Sequence, residues 1–104
     1  MTTTVRDNAE AHRYEIHEDG HLAGFVVYTI RDTLADFVHT ETLAGFEGRG
    51  LASTLVRGAL DDARARGWQV RPSCPYVRSF IAANPEYVDL VPAAARVRFE
   101  LDDR

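Results

Sequence analysis

The chain predicts a mixed α/β domain: a mostly antiparallel sheet with one parallel strand reached through a crossover helix. Three observations carry that prediction. The dipeptide Asp19-Gly20 stands between two strand-like segments. Residues 50–67 form one long amphipathic segment with leucine and alanine at four-residue spacing. The short segment "WQVRPS" follows it directly. Asp-Gly tolerates the positive φ that a two-residue hairpin needs at both central positions. A strand–helix–strand passage of this length closes as a right-handed parallel crossover.

The elements follow in chain order. Residues 1–11 are polar and read as a flexible N-terminus, which leaves residues 12–104 as a single domain. "HRYEIHE" alternates, with Tyr14 and Ile16 on one face, as a half-buried strand does. "HLAGFVVYTI" places Leu22, Val26, Tyr28 and Ile30 on one face and Ala23, Phe25 and Val27 on the other. With both faces apolar it is expected to be central and covered on both sides. "RDT" turns the chain, and "LADFVHTETL" is the third strand.

In the long segment Leu51, Leu55, Ala59 and Ala63 make an apolar stripe flanked by Ala52, Val56 and Leu60, the pattern of a helix on a core. Gly67 suits the stop beyond its end. Gly58, at a cost of about 1 kcal/mol against alanine, suits close packing on the sheet. "WQVRPS" supplies a fourth strand. "CPYVRSFIAAN" reads as a second helix, with Pro75 at its first position and Asn84-Pro85 at its end. The tail "AAARVRFELDD" admits two structures: an edge strand, from the alternation of Val97, Phe99 and Leu101, or a helix, from its alanines.

Composition narrows the function classes. At 104 residues, 45% hydrophobic and 27% charged, this is an ordinary soluble domain. A net charge of −4 argues against nucleic acid as a partner, although all 12 basic residues are arginine. Cys74 is the only cysteine, so no intrachain disulfide and no cysteine-based zinc site is available. His12, His17 and His21 gather around the first hairpin without metal-ligand spacing, and no metal is expected. No apolar run approaches the ~20 residues that span a bilayer, and the start has no signal-peptide pattern. The expected setting is the cytoplasm, away from the membrane.

The stretch "FEGRGLASTLV" carries the functional argument. A helix N-terminus has unpaired N–H groups and a partial positive charge. Glycines before it let an anion approach the backbone. Gly48 and Gly50 bracket Arg49 at the mouth of the helix, with small Ala52 and Ser53 inside it. Alone, the glycine spacing favours an ordinary strand-to-helix turn, because short glycine patterns are weak signals. It lacks Gly-Lys-Ser/Thr and G-x-G-x-x-G, so neither a Walker-type loop nor a dinucleotide fold is supported.

Taken together, "HTETLAGFEGRGLASTLV", "VRPSCPYV" and "NPEYVDLV" resemble the small YjdJ-type branch of the GNAT N-acetyltransferase superfamily, over roughly residues 14–91. The resemblance implies a splay between the third and fourth strands read above, with acetyl-CoA lying in that V. Thr40, Glu41 and Thr42 match the strand segment whose backbone pairs with pantetheine in this superfamily. Gly48, Arg49, Gly50, Leu51, Ala52 and Ser53 match its pyrophosphate loop. Two positions depart from the pattern. Glu47 stands where the superfamily usually has arginine or glutamine. Phe80 stands where a tyrosine often protonates the departing thiolate; Tyr76 is nearby in sequence.

Acetyl transfer to an amine needs a base, an oxyanion donor and an exit for the thiolate. Cys74 lies between the fourth strand and the second helix, near the N-cap, where the dipole favours a thiolate; Arg71 and Arg78 are close in sequence. It reads as a nucleophile, a proton relay or a small buried apolar residue. Glu41 is the second catalytic candidate. It shares a strand face with His39 at two-residue spacing, the arrangement of a base and its partner or of a solvated edge. Larger relatives wall the acceptor site with helices between their first two strands, whereas only "EDGH" separates those read here. An open acceptor side follows, suited to a protein or peptide amine, to a substrate that binds weakly, or to a site completed by another chain, in a monomer or homodimer. The alternatives to an N-acetyltransferase are a non-catalytic acyl-CoA-binding module and a small interaction domain.

Overall fold

The computed structural model describes residues 2–101. Met1 and residues 102–104, which the sequence reading assigns to the flexible N-terminus and to the domain, lie outside the described residues. Five strands form one sheet in the order β1 (Thr3–Asn8), β2 (Arg13–Glu18), β3 (His21–Arg31), β4 (Leu34–Thr42) and β5 (Gln69–Arg71). The first four run antiparallel to their neighbours, and β5 is parallel to β4. Helix α1 (Leu51–Ala65) makes the crossover between β4 and β5; α2 (Pro75–Ala83) and the one-turn α3 (Ala93–Arg96) follow.

Four of the sequence signals have a direct physical counterpart. Asp19 and Gly20 both take positive φ, 51° and 85°, and close the β2–β3 hairpin. Leu51, Leu55, Val56, Ala59, Leu60 and Ala63 are the buried stripe of α1. Gly67 ends that helix region at φ 74°. Pro75 opens α2 behind Cys74 at the N-cap. In the tail the alanines win: α3 forms, Phe99 and Leu101 turn inward, and Val97 is left exposed.

Two expectations are corrected. Residues 3–8 are not loose but form edge strand β1, paired with β2 from Thr3↔Glu18 to Asn8↔Arg13. Backbone pairing and one apolar side chain, Val5, suffice. A Cβ on Gly58 would stand 2.9 Å from Val5 Cγ1, so the glycine of α1 admits this strand. A 3-10 turn (Ala9–Ala11) joins β1 to β2, and the segment "EDGH" therefore separates the second and third strands. Neither connection holds a wall of helices.

The second correction concerns β3, which is central but not covered equally on both sides. Val26 and Phe37, fully buried, meet Val56, Ala59 and Leu60 of α1 and Val77 of α2. On the opposite face Phe25 and Val27 are only half-buried. The cover there is the Arg13 guanidinium, 4.4 Å from the Phe25 ring centroid, an arginine lying on an aromatic face. The same face holds buried Glu15. Burial pushes its carboxyl up, but hydrogen bonds from Asn8 and Arg13 and the charges of Arg13 and His17 outweigh this and hold it below its ordinary value.

The C-terminal end of α1 is tied to the sheet by polar contacts. Tyr14 Oη donates to Asp62 at 2.5 Å, and Tyr28 Oη donates to Asp7 at 2.8 Å. Arg66 pairs with both carboxylates, Asp7 at 3.1 Å and Asp62 at 2.9 Å, and lies over the Trp68 ring. Among the described residues no helix is long and apolar enough to cross a membrane.

One irregularity positions the site. Tyr28 pairs with Phe37 and Val27 with His39, so Val38 is an extra residue in β4, a β-bulge. Before it, Ala35 and Phe37 face the helices. After it, Thr40, opposite Val26, faces them, while His39 and Glu41, opposite Val27 and Phe25, face away.

Candidate functional site

The parallel ladder between β4 and β5 lasts three pairs, Leu34↔Gln69, Ala35↔Val70 and Asp36↔Arg71. Then the strands part. Cys74 N–H donates to Phe37 O at 2.7 Å, a last link, and the chain leaves into α2. β4 runs on from Val38 to Thr42 with β3 on one side and no strand of the described residues on the other. That free edge carries backbone polar groups unpaired by the sheet. It is the splay that the sequence resemblance implied.

The sequence candidates gather around this edge in two groups. Cys74, buried, lies on the helix side, and its Sγ is 3.3 Å from Thr40 Oγ1, with either atom able to donate. On the other face His39 Nε2 lies 3.1 Å from Glu41 Oε1, with both side chains about half exposed. Cys74 and Glu41 thus flank the edge from opposite faces rather than forming one cluster. Arg78, considered as a partner for Cys74, reaches Glu100 instead at 3.6 Å.

The 48–53 turn has the backbone its sequence suggests. Gly48 and Gly50 lie at φ 79° and 73°, a left-handed conformation that side chains with a Cβ disfavour. Gly50 caps α1 without a side chain, and the first turn contains no acidic residue. Thr54 N–H and its hydroxyl both turn back to Gly50 O. Leu51, Ala52 and Ser53 therefore present the helix start through their backbone. The two charged side chains of the turn are engaged elsewhere. Glu47 folds back to accept from Gly45 N–H at 3.1 Å. Arg49 reaches across to Glu18 at the end of β2, 2.5 Å away, and lies over the Phe46 ring.

These features suit a coenzyme A thioester. The uncapped helix start behind two left-handed glycines offers N–H groups to a pyrophosphate, and the free edge of β4 offers an extended chain a row of peptide groups. Among the described residues no group of three or more His, Cys, Asp and Glu side chains could hold a metal ion.

Phe80 is buried between the Tyr87 ring, at 5.9 Å, and the Arg57 guanidinium, at 5.2 Å. Tyr87 does not replace the missing hydroxyl. Its Oη donates to Asp61 at 2.7 Å, and burial together with that hydrogen bond pushes its phenol up. Tyr76 is 41% exposed. The hydroxyl that does meet Cys74 belongs to Thr40. Sequence reasoning had given Thr40 a backbone role only, because 34 residues separate the pair. Glu18 was also missed, though a signal existed. It shares its strand face with Tyr14 and Ile16, and a carboxylate on a core face needs a cation.

The sequence model described as GCN5-related N-acetyl-transferase matches residues 13–90. The chain belongs to the GCN5-related N-acetyltransferase family. It is 33% identical over 52 residues to Protein NATD1 of Bos taurus, covering half of this chain and 46% of that protein. The matched part thus spans about half the length of this curated relative. The fold is also that of a GCN5-like candidate N-acetyltransferase of Staphylococcus aureus solved by NMR. That likeness has a TM-score of 0.64 at 15% identity, over 86% of this chain and 87% of the other.

Proposed function

We propose that this protein is an acetyl-CoA-dependent N-acetyltransferase, of the YjdJ-type branch, whose acceptor is an amine on a protein or peptide. The observation that carries this reading is the parting of β4 and β5 after Asp36 and Arg71, with Cys74 Sγ beside the edge it exposes. The peptide groups of Thr40, Glu41 and Thr42 hold the pantetheine arm along that edge. Backbone N–H groups of the 48–53 turn hold the pyrophosphate. Acetyl-CoA supplies an activated acetyl group, a thioester carbonyl open to an amine.

The two faces of β4 divide the proton work. On the open face the His39–Glu41 pair takes the proton that the amine loses as its lone pair forms the new C–N bond. On the helix face the C–S bond breaks, and Cys74 gives its thiol proton to the departing sulfur. The Thr40 hydroxyl then donates to the thiolate left on Cys74, which regains a proton from solvent. Phe80 has no proton to give, and Cys74 fills that office. Peptide N–H groups of the free edge serve the developing oxyanion, a role for which fixed backbone dipoles are effective.

Two measurements test this. Calorimetric titration with acetyl-CoA should show binding, and thiol release with a panel of peptide amines should show turnover that Cys74→Ala largely abolishes. Full activity of Cys74→Ala would remove the cysteine from the mechanism. An acetyl group trapped on Cys74 by mass spectrometry would make it a nucleophile instead. Binding with no turnover on any amine would favour the acyl-CoA-binding module.

A further inference from the structure

The charged side chains of the glycine turn do not face an empty mouth. Arg49 stands between two glycines in left-handed conformation, a backbone context with little stiffness of its own. Its guanidinium crosses to the carboxylate of Glu18, which is 6% exposed and lies on the core face of β2 immediately before the Asp19-Gly20 turn. A buried carboxylate is costly unless paired, and among the described residues Arg49 is the partner within salt-bridge distance. The Phe46 ring beneath the guanidinium, 5.5 Å away, completes a clamp made of loop and hairpin.

We propose that Glu18 is a positioning residue for the 48–53 turn: it captures Arg49, fixes the turn against the β2–β3 hairpin, and leaves anion binding to the backbone N–H groups. This rests on the pyrophosphate reading given above and changes the part Arg49 plays in it. The arginine orders the turn from behind and does not grip the phosphates. Its charge is balanced by a carboxylate, so coenzyme A meets preorganised dipoles rather than a free cation. The hairpin end and the turn then move as one body.

The experiment compares Glu18→Gln, Arg49→Gln and the double variant with the wild type. The dissociation constant for coenzyme A is measured at low and high salt, and amide hydrogen exchange is measured over residues 44–50 without ligand. Each single variant should weaken binding roughly 10-fold and raise exchange in residues 44–50. The double variant should be no worse than the weaker single, because one contact is lost once. The salt dependence of Arg49→Gln should match that of the wild type.

Tighter binding by Glu18→Gln, together with weaker and less salt-dependent binding by Arg49→Gln, would overturn the proposal and make Arg49 a phosphate ligand. Unchanged exchange in both variants would overturn it as well. If the wild type binds no coenzyme A, the pyrophosphate reading falls by itself; raised exchange in both variants would still establish the clamp. Should Glu18→Gln fail to fold, Arg49→Gln decides by the same readouts, since Arg49 is half exposed.

Discussion

The two ends of α1 are built by opposite means. At its C-terminal half the helix meets β1 so closely that Gly58 has no room for a side chain, and Tyr14, Tyr28, Asp7, Asp62 and Arg66 close the seam with hydrogen bonds. At its N-terminus the helix has no side-chain cap, two left-handed glycines precede it, and the strand before them runs on without a partner on one side. The side chains of Tyr14, Tyr28, Asp7, Asp62 and Arg66 at the closed end answer one another inside the molecule. The open end leaves backbone groups for something outside it. A domain of 104 residues has stability of only a few kcal/mol to spare. The closed end is what lets the other stay incomplete.

The contrast can be broken most forcefully at the closed half. Leu60, fully buried between α1 and the sheet, changed to alanine should cost about 3 kcal/mol. Chemical denaturation would measure it, while acetyl-CoA affinity of the folded fraction stays near wild type. Next comes Cys74→Ala, for which a loss of about 100-fold in kcat, or about 2.7 kcal/mol of barrier, is expected with little change in thermal midpoint. A large fall in that midpoint with kcat intact would reverse the roles given to the two ends.

A third prediction concerns alkaline pH. Burial, the Asp7 hydrogen bond and the Asp7 charge push the Tyr28 phenol up to about 12. Burial and Asp62 push Tyr14 well above its ordinary range. The unfolded chain loses these protons near pH 10, so above that pH the folded state binds more protons than the unfolded one. Stability is complete below about pH 10 and falls as pH rises from there to about 12, by about 1.4 kcal/mol per pH unit for each such tyrosine. Changing both Tyr14 and Tyr28 to phenylalanine should flatten that slope in denaturation curves recorded between these pH values. The smallest effect is expected at the open end. Glu47→Gln keeps an oxygen for Gly45 N–H but removes a charge beside the turn proposed to hold the pyrophosphate. It should tighten coenzyme A about 2–3-fold at low salt and less at high salt; weaker binding would show that the carboxylate itself shapes the turn.

Much of this was legible because it is written in local periodicity. The hairpin at Asp19-Gly20, the stripe of α1 and the proline at the start of α2 each need only neighbouring residues to be read. β1 was not legible, since "TTVRDN" has a single apolar side chain. It is a strand because β2 offers it a backbone edge and Gly58 offers Val5 a seat. The uneven cover of β3 was hidden for a related reason: Phe25 and Val27 are apolar in sequence, but an arginine rather than a helix shelters that face. In the site, the shared face of His39 and Glu41 followed from two-residue spacing. The meeting of Thr40 with Cys74 depends on where two strands part, which no local pattern records. Glu18 could have been found by asking what neutralises an acid on an apolar face.

The extra residue Val38 has a consequence for how such a protein changes over evolutionary time. Because Val38 is absorbed as a bulge, Phe37 stands opposite Tyr28 and His39 opposite Val27, as they would in a ladder one residue shorter. In-frame gain or loss of that single codon therefore leaves His39 and Glu41 on the open face and Thr40 on the helix side. The facing of these groups is set by their partners on β3 and not by their count along the chain, so a length change at this point is heritable without exchanging the two surfaces.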